Sequence, residues 1–472
     1  MTKAGRRSNT IDMTSGPVTG PLVLFMLPLI GSGLFQQLYN TVDFMFIGNL
    51  LDKTSAAAVG ASSSLIYCCI GLFSGISVGT TVVISQAFGA GKKDLADRAL
   101  HTSVAFGALG GVLLTALTIL FAPGVLRILN TPESVIPQAV TYLRIYMISV
   151  PAMIFYNMCS GAVRAAGDSR TPFIILVICG LVNVAMDAFL LIVIPMGVAG
   201  VALATLAAQL LSGLLIAMAL RRKEGMLFLR ASALRIDGGI LKKVLRIGLP
   251  AGIQTLLITV SNVMVQYYIN GFGEVSVAAF ATYYKVENFI YLPIMAFGQA
   301  STTFSGQNTG AERFDRVRRG SNILLAMCIG ITCLISGLIL LFPETVFGWF
   351  MKDAEVVKCT IVIAMVSFPF YWFYAFLEVY GGSLRGMGYS LSPMAVIIGN
   401  ICVLRIALLA VFSAVFGTLR SLAAVYPVTW GGAALCFIAE FIIVMRKKTG
   451  STFEKTMREH PPAGLVGVKR LP

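Results

Sequence analysis

Twelve apolar segments, each long enough to cross a lipid bilayer, constrain this chain more than any other feature. Crossing the hydrocarbon core takes about 20 residues at 1.5 Å of rise each. The segments run approximately over 19–48, 55–87, 99–122, 135–163, 171–194, 197–220, 244–271, 275–306, 320–342, 356–384, 389–417 and 421–445. Several exceed the minimum, so tilt or extension past the bilayer is expected. Short breakers separate them, among them Asp52-Lys53-Thr54, Gly89-Ala90-Gly91, Asn130-Thr131-Pro132, Gly167-Asp168-Ser169, Pro195-Met196-Gly197 and Gly271-Phe272-Gly273. Composition agrees: 57% of residues are hydrophobic, 12% are charged and the mean hydropathy is +0.84. A soluble domain carries about 25% charge, and a chain this apolar cannot cover its surface in water. The reading is an all-α polytopic membrane protein. No cleavable signal peptide is expected, because the run from Pro21 to Gly48 is too long for an h-region and contains Asp43.

The net charge of +15 would suggest a nucleic-acid partner in a soluble protein. Its placement argues otherwise. With the N-terminus inside, 28 of the 36 Lys and Arg residues fall on cytoplasmic segments. Five fall on outer loops (Lys53, Arg127, Lys352, Lys358, Arg420), and Arg144, Lys285 and Arg405 lie within spans. Such a bias sets topology rather than recognising nucleic acid, and it puts both termini in the cytoplasm. Nine cysteines, most of them inside apolar runs and without a CxxC, read as small buried hydrophobes. With His101 and His460 as the only histidines, a His-based metal or haem centre is excluded and no cofactor is expected.

The two halves repeat at an offset near 221. Pro28 pairs with Pro250, and Ile47 with Ile269. Gln86-x-x-Gly89-Ala90 matches Gln307-x-x-Gly310-Ala311, and Arg164-x-x-Gly167-x-Ser169-x-x-Pro172 matches Arg385-x-x-Gly388-x-Ser390-x-x-Pro393. Six spans per half is an even number, so the repeats run parallel and form two six-helix lobes related by a pseudo-two-fold axis along the membrane normal. That is a transporter architecture in which two bundles rock around a site between them. The expected organisation is an N-terminal tail (1–18), an N-lobe (19–220), a cytoplasmic linker (221–243), a C-lobe (244–447) and a C-terminal tail (448–472), both tails cytoplasmic. The segment Ile236 to Ile247 reads as an interfacial helix.

Charge inside the membrane is expensive, about 2.5–3.5 kcal/mol for a carboxylate near a helix centre on insertion scales. Span 1 carries Asp43 and span 5 carries Asp187, with Asn183 one turn earlier on the same face; span 6 carries Thr205. From the outer ends of their spans, Asp43, Asp187 and Thr205 lie about 8, 11 and 12 Å deep. Three helices of one half thus bring oxygen ligands to similar depth. The set suits Na⁺, and it suits proton exchange equally, because two close carboxylates favour keeping one proton. The bland alternative is that each Asp caps or hydrogen-bonds a neighbouring helix. Gln36 and Tyr39 extend a polar stripe on span 1, and Pro28 can bend that helix. In the second half Val265 and Leu408 stand where the first has Asp43 and Asp187. Glu287, Glu378 and Arg405 form a candidate C-lobe polar site; Glu378 and Arg405 are expected to pair, as a structural ion pair or as a substrate contact. Glu440 reads as a cap at the inner end of span 12. Aromatics crowding span 10, from Tyr371 to Tyr374, could receive flat organic cations or simply pack.

These features together resemble the MATE (multidrug and toxic compound extrusion) transporters. The resemblance rests on Gln37-Leu38-Tyr39-Asn40-Thr41-Val42-Asp43-x-x-Phe46-Ile47-Gly48, Ala57-Ala58-Val59-Gly60, Ser85-Gln86-x-x-Gly89-Ala90, Arg164-x-x-Gly167-Asp168-x-Arg170-Thr171-Pro172, Asn183-x-x-x-Asp187 and Gly197-Val198-Ala199-Gly200-x-Ala202-x-Ala204-Thr205. It covers about 17–447. It implies a V-shaped pair of lobes and export of cationic or amphipathic small molecules against Na⁺ or H⁺; the chain is expected to act as a monomer in the bacterial inner membrane. The bacterial branch with its ion site in the N-lobe is the better match. By that resemblance Asp43, Asn183, Asp187 and Thr205 are the cation-binding set (Na⁺ ligands if sodium couples), Pro28 is the bending proline, and Gln36, Tyr39 and Asn157 line the cavity. The other main branch has an acid in span 7; here span 7 offers Gln254, Asn262 and Gln266 instead. A lipid-linked oligosaccharide flippase of the same superfamily is the alternative, disfavoured by twelve spans and an acidic N-lobe. An intramembrane enzyme lacks a membrane His cluster or HExxH, and a passive channel suits two rocking halves poorly.

Overall fold

The computed structural model describes residues 10–128, 131–222 and 227–459, and these contain helices and no strand. Lys3, Arg6, Arg7, Asn130, Lys223, His460, Lys469 and Arg470 lie outside them. The first six spans are α1 (Thr19–Leu50), α2 (Lys53–Gly89), α3 (Lys93–Ile128), α4 (Ile136–Ala165), α5 (Arg170–Ala188) with a π-helical turn (Phe189–Val193), and α6 (Val198–Arg222). The second six are α7 (Gly238–Asn270), α8 (Glu274–Gly310), α9 (Phe314–Leu341), a bent tenth span, an eleventh interrupted by a π-helical stretch, and α15 (Leu419–Glu459). A short α10 (Pro343–Gly348) precedes the tenth span, which is α11 (Ala354–Ser367) and α12 (Phe373–Gly386) meeting at 49°. Pro369 lies in the 3-10 turn Phe368–Phe370 just before the break and withholds a backbone N–H there. The eleventh span is α13 (Leu391–Ile397), the π-helical Ile398–Leu404, and α14 (Arg405–Val415). By length and apolarity the described helices supply eleven crossings, counting the bent pair as one. The twelfth is the 37-residue α8, whose buried Ser301, Thr302, Thr303, Ser305, Gln307 and Asn308 make it the least apolar.

The segment expected to lie as an interfacial helix over 236–247 is instead the start of α7. The Asp237 carboxylate accepts from the Ile240 N–H and so starts the helix at Gly238, which then runs unbroken to Asn270.

Two large hydrophobic cores dominate the described residues, beside a small cluster of Ala58, Leu126, Val135 and Ala139, and each large core borrows from the other half. The C-lobe core includes Leu22, Phe25, Met26 and Leu29 from the first turns of α1. The N-lobe core includes Ile240, Val244 and Ile247 from the first turns of α7. The segments preceding these helices cross over in the same way. Ahead of α7, the Arg230 N–H donates to His101 Nε2 (3.1 Å) and the Asp237 N–H to Thr102 Oγ1 (3.2 Å), both on α3. Ahead of α1, the Ile11 N–H donates to the Gly167 carbonyl of the N-lobe (3.1 Å), while Met13, Ser15 and Gly16 give their carbonyls to Arg316 of α9. Asp12 folds this strap into a turn by accepting from Thr14 and Ser15. Burial alone would raise its carboxyl, but those bonds and the Arg316 guanidinium hold it below the ordinary carboxylate range.

Between the lobes, at the end that carries the basic loops, the chain closes to backbone contact. Gln86 Nε2 donates to the Gly386 carbonyl and Gln307 Nε2 to the Ala165 carbonyl, both at 2.8 Å. Gln86 and Gln307 are repeat partners, as are Ala165 and Gly386 at the same offset, so the two bonds are one contact used twice. A Cβ on Gly89 would fall 1.8 Å from the Gln307 carbonyl oxygen, and one on Gly310 would fall 1.9 Å from that of Gln86. Farther in, Gly75 and Gly79 of α2 meet Gly248 and Gly252 of α7, a small-residue crossing of the kind that lets helix backbones touch.

Candidate functional site

α1 and α5 build the site because a glycine lets them approach. A Cβ on Gly180 would lie 2.7 Å from the Phe35 ring and 3.1 Å from that of Tyr39. One turn later Asn183 and Asp187 share the α5 face turned to α1, and both are buried (4% and 1% exposed). The Asn183 amide, turned so that its nitrogen faces α1, donates to both Asp43 carboxylate oxygens at 3.1 and 3.2 Å. Among the described residues no donor reaches either oxygen of Asp187; its neighbour within hydrogen-bonding reach is the Asp43 carboxyl itself. Two carboxyl groups are acceptors only until a proton or a cation is placed between them. A buried carboxyl facing another, with no protein donor, therefore has the chemistry of a proton or hard-cation site. Among the described residues no group of three or more His, Cys, Asp or Glu is placed to hold a metal ion.

The other expected residues take varied places. Thr205 of α6 is half-buried and its hydroxyl donates to its own helix, at the Val201 carbonyl (3.1 Å), leaving the oxygen's lone pairs free; it makes no hydrogen bond to the acids. Gln36 is exposed and contacts Tyr39. Asn157 contributes its backbone carbonyl to Ser77 Oγ (2.8 Å), a tie between α4 and α2. Pro28 stands inside α1 about four turns before Asp43, and the Ser32 hydroxyl bonds its carbonyl at 2.8 Å. Sequence reasoning missed the tyrosines of α4. Tyr142 lies within electrostatic reach of both carboxyls, and Tyr146 within reach of Asp43, Tyr39 and Tyr67. The Tyr142 and Tyr146 rings are 5.8 Å apart. Their i,i+4 spacing was the available signal, since it puts both on one face of span 4. The π-helical turn at Phe189–Val193, directly after Asp187, was not signalled.

The MatE family model matches this chain twice, over residues 28–189 and 250–411. The chain belongs to the MatE family. The two matches divide it as the internal repeat does, and the family's members are transporters rather than enzymes. This MatE chain is 29% identical over 414 residues to the probable multidrug resistance protein YpnP of Bacillus subtilis (strain 168), covering 86% of this chain and 91% of YpnP. It is 27% identical over 384 residues to the probable multidrug resistance protein YoeA of the same organism, covering 79% and 82%. Its fold is that of a multidrug resistance MATE family transporter of the MOP superfamily solved in an outward-facing conformation, with a TM-score of 0.89 at 21% identity over 94% of this chain and 99% of that one.

In the C-lobe of this MatE chain Glu287 and Arg405 lie within electrostatic reach of each other around Tyr426, and Glu378 takes a different partner. Glu378 faces Arg385 two turns along its own helix (3.7 Å) and packs on Gly298 of α8. The expected Glu378–Arg405 pair is therefore not formed. Arg405 leaves the π-helical stretch turned toward α15, with its guanidinium 4.9 Å from the centre of the Tyr426 ring and 3.4 Å from Thr429 Oγ1. Glu287 accepts from the Tyr371 hydroxyl at 3.0 Å, inside a nest where the Tyr284 and Tyr426 hydroxyls bond at 2.7 Å. Tyr371 and Trp430 stack edge to face at 4.7 Å, so these aromatics mainly pack. Glu440 accepts from the Ser392 hydroxyl, tying α15 to α13.

Proposed function

We propose that this MatE protein is a secondary active antiporter that exports cationic or amphipathic small organic molecules in exchange for Na⁺ or H⁺. It would work as a monomer in the bacterial cytoplasmic membrane, among lipids, with both termini and the basic loops inside. The observation that carries the reading is the Asp187 carboxyl, buried against Asp43 with no donor among the described residues. A bare pair of acids at that depth is costly unless a proton or a cation joins it during a cycle. The multidrug resistance names of the relatives support the substrate class.

In the cycle we envisage, the drug enters while the basic end is open. The lobes then rock until the Gln86 and Gln307 contacts close that end. Na⁺ or H⁺ from outside loads Asp43, Asp187 and Asn183, with Thr205 able to offer a further oxygen. Loading removes negative charge, bends α1 about Pro28 and lowers the affinity for the drug, which leaves outward. Coupling is thus a difference in affinity between two states of one protein. The test is efflux from proteoliposomes driven separately by a Na⁺ gradient and by a pH gradient. One gradient should suffice, and Asp43→Asn and Asp187→Asn should each abolish the efflux it drives. Near-normal gradient-driven efflux in both variants overturns the reading.

A further inference from the structure

A cavity of about 570 Å³ opens at the basic end of the C-lobe, between α9, α12 and α15. Arg318 and Arg446 line it, and among the described residues no carboxylate pairs with either. Asn322 accepts the Tyr380 hydroxyl at 3.1 Å, which leaves its amide N–H groups as donors. The floor is apolar: the Tyr380 and Phe441 rings lie flat on each other, 4.2 Å apart and 5° from parallel. None of the described residues that line it is acidic. A site with two guanidinium groups, amide donors and no acid selects a phosphate-bearing anion and repels the cations proposed as transport substrates.

Position identifies the source of the phosphate. The sequence places the membrane boundary near residue 320 on the ninth span and near residue 445 on the twelfth, so Arg318 and Arg446 stand just beyond it, at headgroup height. The cavity wall continues along α15 through Ile442, which is 44% exposed, onto the apolar outer surface. It is far larger than one phosphate group needs. We propose that this cavity binds the phosphate headgroup of an anionic phospholipid, held between Arg318 and Arg446 with its glycerol and upper acyl chains along Phe441 and Ile442. Basic pockets between transmembrane helices at a membrane surface have this use.

The test uses the full-length protein, purified in detergent and exposed to phosphatidylglycerol, phosphatidylcholine or inorganic phosphate. Native mass spectrometry reads the lipid retained, and thermal unfolding reads the shift in midpoint. Wild-type protein should retain phosphatidylglycerol in preference to phosphatidylcholine. The double variant Arg318→Gln/Arg446→Gln should bind phosphatidylglycerol at least tenfold more weakly, and the neighbouring Arg319→Gln should bind it as wild type does. Equal retention by the double variant overturns the proposal, and so does a midpoint rise that inorganic phosphate gives in full. Should the double variant not fold, Arg446→Gln alone should lose affinity several-fold, and an unchanged affinity there is equally fatal.

Discussion

Adding one methyl group at the lobe seam should open the basic end. In Gly89→Ala the new Cβ would sit 1.8 Å from the Gln307 carbonyl oxygen, a backbone atom that no rotamer change can move. Real Cβ contacts lie beyond 3.0 Å, so α2 and α8 must separate by roughly 1.2 Å at this level. The Gln86–Gly386 and Gln307–Ala165 bonds, both 2.8 Å, would then stretch past hydrogen-bonding range. Each is worth about 0.5–1.5 kcal/mol, and overpacking adds about 1–3 kcal/mol. A central figure of about 3–4 kcal/mol against the closed state is a shift of over a hundredfold in population. Spin labels at Lys92 and Asp315, exposed and on opposite lobes beside the seam, read the separation by pulsed dipolar spectroscopy. The distance distribution should lengthen in Gly89→Ala. It should lengthen equally in Gly310→Ala, whose Cβ would lie 1.9 Å from the Gln86 carbonyl oxygen. Gly60→Ala, on the same helix as Gly89 but with nothing within 4 Å of its Cβ, should leave the distribution unchanged. An unaltered distribution in both seam variants would refute the claim that this seam is the gate.

Other expectations follow from the strap and from the C-lobe. Arg316→Ala removes the donor that holds the carbonyls of Met13, Ser15 and Gly16, so amide exchange over residues 11–16 should rise by an order of magnitude or more while the α4 and α8 cores stay protected. Asp12 has a depressed folded pKa, so its contribution to docking is present at neutral pH and is lost as pH falls through that lowered value. Exchange in the strap should therefore accelerate only in acid below the ordinary carboxylate range, and Asp12→Asn should flatten that dependence. In the C-lobe, Tyr371→Phe removes the Tyr371 hydroxyl donor from Glu287 and should cost about 1–3 kcal/mol of stability, read as a lower thermal midpoint. It should leave the ion dependence of efflux intact; a change of coupling ion would assign Glu287 to the coupling chemistry instead.

The span count, the two halves and the placing of Asn183 and Asp187 on one helix face were legible because each rests on a period or a spacing within one helix. The meeting of Asp43 with that pair was legible from depth alone, since topology ranks residues along the membrane normal. What depth cannot give is rotation about a helix axis. That is why Glu378 and Arg405, both inside adjacent spans, were expected to pair and do not: the π-helical Ile398–Leu404 turns Arg405 toward Tyr426, and nothing in its composition announces that turn. The same limit hid Tyr142 and Tyr146. The helix start at Asp237 was missed for another reason: a run of basic residues in 221–246 suggested a surface segment, while the cap that decides the matter is a single side chain.

The repeat and the proposed site obey different rules, and the difference bears on mechanism. The glutamine and glycine contacts that close the basic end have counterparts 221 residues on: Gln86 with Gln307, Gly89 with Gly310, Ala165 with Gly386. The turns repeat too, with Gly167 at φ +90° and Gly388 at φ +93°, and Gly91 at +67° answered by Glu312 at +56°. The acids do not repeat. Val265 stands opposite Asp43 in the repeat and Leu408 opposite Asp187. A symmetric seam lets either lobe rotate against the other at equal cost, so by itself it favours neither direction. An ion that binds one lobe alone must bias the equilibrium through that lobe's own helices. α1 is the one built for this, because its first turns belong to the C-lobe core while Asp43 belongs to the N-lobe. Pro28 lies between those two parts, where a bend changes their relation without disturbing either core.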